Sequence, residues 1–301
     1  MKSSPKPVIY AALGASVVIG AAKFLAASVS GSTAMLAEGI HSVIDASNQG
    51  LLLYGLKRAR RPPDRDFPFG YGKEIYFWSF VVAVQVIMVG AGAAMMRGIT
   101  HIAHPQPLRD VGLSYAVLLL SLLFEGATWV FAFRRFARTR GKWSTLQAVQ
   151  HGKDPSKFVV LLEDTAAVLG LLIALAALLL EQYTGNLLCD GVGSVLIALV
   201  MGATAWWLAW ETKGLLIGES ANSEVVADIK RLAQQFEKVL RVPEVLTMHV
   251  GPDYILVNLS IVIPAGATAA SVEKTVAELQ ACIRQKHPRV QRIFVETRTT
   301  K

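Results

Sequence analysis

Six apolar stretches, each near the length of about 20 residues that crosses a bilayer, constrain this chain more than any other feature. They run near 8–29, 32–56, 75–96, 111–133, 158–180 and 187–210. Charged residues make up 17% of the 301, against about 25% in an ordinary soluble domain, and the deficit falls in these stretches. The second is the most polar, carrying Glu38, His41, Asp45, Asn48 and Gln49. Its helical reading rests on its neighbours and on the short Gly31-Ser32 link to the first. The first stretch has no clear small-residue cleavage site and five more follow, so it reads as a retained helix rather than a signal peptide. After Trp210 the pattern turns mixed, which predicts a six-helix membrane domain over 1–213 and a small soluble domain over 214–301.

The net charge of +8 matters through its placement. Lys57, Arg58, Arg60, Arg61, Arg65 and Lys73 lie between the second and third stretches, and a second basic group, Arg134 to Lys157, lies between the fourth and fifth. The connections on the other side are poor in Lys and Arg. By the positive-inside rule both basic connections and both termini belong in the cytoplasm. Nucleic acid is excluded as a partner, because the basic runs flank spans and lack interleaved aromatics. The short amino terminus fits a bacterial inner membrane. Cys189 and Cys282 are too few and too far apart for a disulfide framework or a cysteine metal site.

In the soluble part, Ser220 or Asn222 can cap a helix whose apolar positions repeat from Val225 to Leu240 with helical spacing. Residues 245–250 read as a strand, Gly251-Pro252-Asp253 as a turn, and Ile255, Val257, Leu259, Ile261 and Ile263 alternate as in a half-buried strand. A second helix carries Val272, Val276, Leu279 and Ile283 and ends at His287-Pro288, and 292–298 is a last strand. The order α-β-β-α-β predicts a small ferredoxin-like α+β domain with one sheet face free for a subunit contact.

Within the apolar stretches a few ionisable groups stand out. A charged side chain in hydrocarbon costs at least about 2.5–3.5 kcal/mol, so such groups face cavities and carry function. His41 and Asp45 are one helical turn apart and share a face. An imidazole and a carboxylate there can hold a divalent transition metal, and Asp164, from another helix, would close the site.

These features together resemble the cation diffusion facilitator family. Ser30-Gly31-Ser32 followed by Ala37-Glu38-Gly39-Ile40-His41-Ser42 is similar to its second-helix signature, and Phe69-Gly70-Tyr71-Gly72-Lys73-Glu74 to its motif entering the third helix. Asp190 near the start of the sixth helix also fits. Asn48-Gln49 and the run from Leu161 to Ala167 resemble the branch that includes a mitochondrial zinc transporter of animals. The resemblance implies a homodimer, not an enzyme, that exchanges cytosolic divalent metal for protons across a lipid membrane. It holds no resident cofactor, and zinc is the first choice of cargo, ahead of manganese, iron, cobalt or nickel. The implied metal ligands are His41, Asp45 and Asp164. The family's fourth ligand would sit one turn before Asp164, where this chain has Val160. Glu163 is a substitute only if the helix rotates or unwinds, because adjacent helical positions point about 100° apart. Glu38 or water are the other choices. Phe67 and Tyr71 stand where family loops carry histidines, and Asn258, Ser271 and Phe294 where metal-binding tails do, so neither secondary site is expected.

The remaining polar groups have plainer readings. Asp190 pairs with a helix terminus, water or Lys23; Glu125 has a partner the sequence does not name; Asn48 and Gln49 are hydrogen-bond glue between helices. Trp206, Trp207 and Trp210 form an interfacial belt. His101, His104, His151 and His287 read as exposed loop histidines. Three rivals to a transporter remain. A regulatory subunit that kept the fold is supported by Val160. A metal-dependent membrane enzyme would need a nucleophile that the motifs lack. A channel would need filter loops.

Overall fold

The computed structural model describes residues 6–139 and 155–299. Lys2, the basic run 140–153 and His151 lie outside them. The chain divides into two compact units, Met1–Gly55 with Trp78–Thr212, and Leu56–Phe77 with Lys213–Lys301. The second therefore takes in the connection after the second apolar stretch as well as the soluble tail.

The first unit is helical. Its elements are α1 (Lys6–Ser30), α2 (Thr33–Ala59), α3 (Glu74–Gln85), α4 (Gly92–Ala103), α5 (Val111–Thr139), α6 (Pro155–Thr184) and α7 (Leu188–Ile217), of which the ends of α2 and α7 and the start of α3 pass into the second unit. Among the described residues, Glu74–Ala103, Val111–Arg138, Val159–Thr184 and Leu188–Ile217 are long and apolar enough to cross a membrane. α1 is apolar over Val17–Ser30, and α2 is 27 residues long but diluted by its polar face. The third expected span is not one α-helix. A π-helical segment, Val86–Ala91, joins α3 to α4. Such one-turn π insertions concentrate at functional sites, and Val86 lies beside His41.

Large apolar side chains such as Leu120, Leu123, Phe131, Leu172 and Leu199 are exposed on these helices, as lipid-facing positions require. Inside, helices approach through small residues. A Cβ at Gly98 of α4 would fall 2.8 Å from the Gly191 carbonyl oxygen of α7, so this crossing tolerates only glycine there. The core gathers Ala26, Ala34, Met35, Ile44, Leu171 and Met201.

In the second unit the tail runs α8 (Ser223–Gln234), β1 (Arg241–Gly251), β2 (Tyr254–Ile263), α9 (Ala269–Lys286) and β3 (Val290–Thr299). Asn222 caps α8 by accepting from the Glu224 N–H, one of the orphan donors of a helix start. β1 begins four residues earlier than the apolar pattern indicates and is broken by irregularities near Arg241/Glu244 and His249/Gly251. β2 is central, antiparallel to β1 and parallel to β3. Val257, Leu259 and Ile261 pack with Ile229, Leu279 and Ile283 of the two helices. On the opposite face Leu246, Asn258 and Phe294 stand in one row across the strands, with Leu246 and Phe294 exposed.

His287 is not a solvated loop residue. It is the C-terminal cap of α9, and its Nε2 is 2.9 Å from Asp228 of α8. Lys286 donates to the same carboxylate at 3.0 Å. These contacts, Lys286 first, then His287, hold the Asp228 carboxyl below the usual range. A depressed carboxyl stabilises the fold above its unfolded pKa, and the contribution is lost as pH falls through the folded value. The α8–α9 contact should therefore loosen as pH drops below about 4. Asp228→Asn should flatten that loss, read as amide-exchange protection of α8 and α9 against pH in the full chain.

Candidate metal site within the helical unit

α2 presents a run of polar side chains along one side because its residues at i, i+3, i+4 and i+7 share a face. His41 is 3% exposed, and its Nε2 lies 3.3 Å from Asp45 Oδ2. One turn on, Asn48 donates to Glu163 Oε1 of α6 at 2.8 Å. A cavity of about 260 Å³ is lined by Asp45, Gln49, Glu125, Val160, Glu163 and Asp164. A second, of about 20 Å³, is lined by His41, Asp45, Glu163 and Thr204, among others. That volume admits one water-sized particle.

His41, Asp45, Glu163 and Asp164 thus border one or both of two adjoining spaces, with Asp45 and Glu163 shared by both, whereas Glu38, the other expected choice, borders neither and is held by Lys23. The four are not drawn into a tight cluster: among the described residues no group of three or more His, Cys, Asp or Glu is arranged to hold a metal ion. Both ring nitrogens of His41, Oδ1 of Asp45 and Oδ1 of Asn48 are buried with no hydrogen-bond partner among the described residues. Neutral imidazole nitrogen and carboxylate oxygen are the donors that a borderline divalent cation takes.

Glu163 reaches this space without the helix rotation that its sequence position implies. α6 is α-helical across Pro155–Thr184. The cavity spans both adjacent directions, and the Asn48 hydrogen bond turns the Glu163 side chain toward α2. Val160 lines the same cavity and brings no donor to it.

Other polar groups take partners that the sequence left open. Asp190 does not meet Lys23. From α7 it accepts from the Ser32 hydroxyl, the Thr33 N–H and hydroxyl, and the Ala34 N–H, and so caps α2. Lys23 instead donates to Glu38 at 3.1 Å, Ser42 at 2.9 Å and Glu125 at 2.8 Å. The signal for this network was one lysine in the first apolar stretch and one glutamate in the fourth, with nothing in their spacing to join them. His101 is buried rather than an exposed loop histidine, its Nε2–H donating to the Leu187 carbonyl at 3.2 Å.

In the second unit the aromatic residues at the loop's histidine positions hold the loop itself. Asp64 accepts from the Tyr71 hydroxyl at 2.6 Å and the Phe67 N–H at 2.8 Å, and the Phe67 and Tyr71 rings lie 4.5 Å apart. The Tyr71 hydroxyl, then the Phe67 N–H, hold the Asp64 carboxyl below its usual value. Gly70, at φ +82°, makes the turn between them. In the tail, Ser271 accepts from Lys238 at 2.9 Å.

Residues 9–217 match the cation efflux transmembrane domain. The chain belongs to the cation efflux family. Its curated relatives include the human proton-coupled zinc antiporter SLC30A9, mitochondrial, 37% identical over 76% of this chain and 41% of that protein. Metal tolerance protein C4 of Arabidopsis thaliana is 31% identical over 80% of this chain and 53% of that protein. The manganese efflux system protein MneP of Bacillus subtilis is 21% identical over 96% and 94%. This cation efflux chain spans about half the length of the first two relatives. Family membership makes it a multi-pass membrane protein near the branch of the mitochondrial zinc transporter, and the relatives are named as transporters.

Proposed function

We propose that this chain is a secondary transporter that exports a divalent transition metal, zinc first, from the cytosol in exchange for protons. The observation that carries the reading is the pair of adjoining cavities where buried His41 and the carboxyl groups of Asp45, Glu163 and Asp164 line the walls inside an apolar helical unit. The relatives support it: one is named a proton-coupled zinc antiporter, another a manganese efflux protein. Imidazole beside carboxylates favours zinc over the oxygen-rich surroundings that manganese prefers.

The chemistry of exchange follows from the ligands. Metal binds only deprotonated imidazole and carboxylate, so protons arriving from the outer side compete for the same lone pairs. An uncrowded ligand set that closes on cargo and opens on protonation biases two states of the helical unit by differential binding. The basic connection 57–73 lies on the cytosolic side in this reading, in a bacterial inner membrane. The open sheet row of Leu246, Asn258 and Phe294 supplies a contact for a homodimer.

Purified protein in proteoliposomes should move zinc when a pH gradient is imposed and stop when it is collapsed. Flux indifferent to the gradient would remove the exchange mechanism. Val160 on the cavity wall favours one rival, a regulatory subunit that does not transport. No flux of zinc, manganese, iron, cobalt or nickel from the purified protein would establish that rival instead.

A further inference from the structure

Lys23 is a fully buried cation of the helical unit, 0% exposed, and all three of its ammonium protons are taken. Its partners are unequal. Glu38 is fully buried on α2, with Oε1 turned against Gly170 of α6, where a Cβ would overlap it. Glu125 on α5 instead lines the same cavity as Asp45, Glu163 and Asp164. Lys23 holds Glu125 by Oε1, while its Oε2 is buried with no hydrogen-bond partner among the described residues.

One carboxylate and one hydroxyl would satisfy a buried ammonium. When both are ionised, two carboxylates on one ammonium leave a surplus negative charge in a medium where an unpaired ion is costly. A charge in that position calls for a second cation; Glu125 Oε2 has no hydrogen-bond partner among the described residues, and Glu125 lines the wall where one would arrive.

We propose that Glu125 is a further cargo-contacting carboxylate of the cavity, and that Lys23 is the positioning residue that holds it there. The inference rests on the transport reading above. Lys23 keeps Glu125 paired before metal arrives, so the carboxylate does not turn away from the cavity or bind cargo too tightly to release it. Glu125 offers from α5 a donor that Val160 does not provide from α6. Arg would preserve the pairing. A neutral residue at position 23 would free Glu125 to hold metal longer.

The test is initial-rate zinc transport by the full chain in proteoliposomes, with KM and kcat separated, for wild type, E125Q, K23R, K23M and D45A. E125Q, which keeps shape and loses charge, should raise the zinc KM about tenfold, the lower end of what removing a metal-site partner costs. K23M should lower both KM and kcat, because zinc is held and released slowly, and K23R should restore both to near wild type. If K23M does not fold, the double variant K23M/E125Q removes one charge of each sign. It should fold and show the raised KM of E125Q. A zinc KM unmoved by E125Q overturns the proposal, even where its pH profile shifts, since that result makes Glu125 a proton carrier. Equal losses of melting temperature with unchanged kinetics make the network structural and overturn it equally. D45A separates the two levels: transport surviving D45A sinks the transport-site reading, whereas transport lost in D45A but unmoved by E125Q sinks only the role of Glu125.

Discussion

Asp45→Ala is expected to lower proton-driven zinc flux by at least about 100-fold, the upper end of what metal-site substitutions cost. Asp45 lies 3.3 Å from His41 and is shared by both cavities, so its loss removes the proposed ligand that links the two spaces. Asp164→Ala removes a carboxylate that borders only the larger cavity and should cost less. The measurement is flux under a fixed pH gradient, normalised to folded protein in the vesicles. Equal effects of the two substitutions would mean that the small cavity beside His41 takes no part.

Asp190→Ala is expected to damage the fold itself. The Asp190 carboxylate is fully buried and serves the first turn of α2 through two N–H groups and two hydroxyls. Alanine leaves those largely buried donors unpaired, and each stranded group costs about 1–3 kcal/mol. With four such groups the loss starts at about 4 kcal/mol, much of the stability of an ordinary domain. A fall in melting temperature in detergent, with flux per folded molecule preserved, is the expected result. Lost flux at unchanged melting temperature would instead give Asp190 a direct part in transport.

The apolar stretches and the alternation of the tail were legible because each repeats a period that only one kind of element satisfies. The α-β-β-α-β order followed directly. The π segment at 86–91 was not legible, since it inserts into an unbroken apolar run and changes no residue type. His41, Asp45 and Asp164 stood out as candidates because charge in hydrocarbon is costly and therefore conspicuous. The direction of Glu163 could not, because a single hydrogen bond from Asn48, 115 residues away, decides it. Lys23 and Glu125 were visible as anomalies one at a time. Their pairing is a matter of helix neighbours, which local spacing does not encode.

The cap that Asp190 places on α2 also sets how that helix can move. Its N-terminal end is pinned to α7, so α2 is a lever with its fulcrum at Thr33. At 1.5 Å per residue His41 lies about 12 Å along the arm and Gly55 about 33 Å. A tilt of roughly 10° then shifts the imidazole by only about 2 Å, enough to make or break a metal bond, while it sweeps the far end by about 6 Å. A small change in ligand distance is geared to a displacement nearly three times larger at the opposite end of the helix.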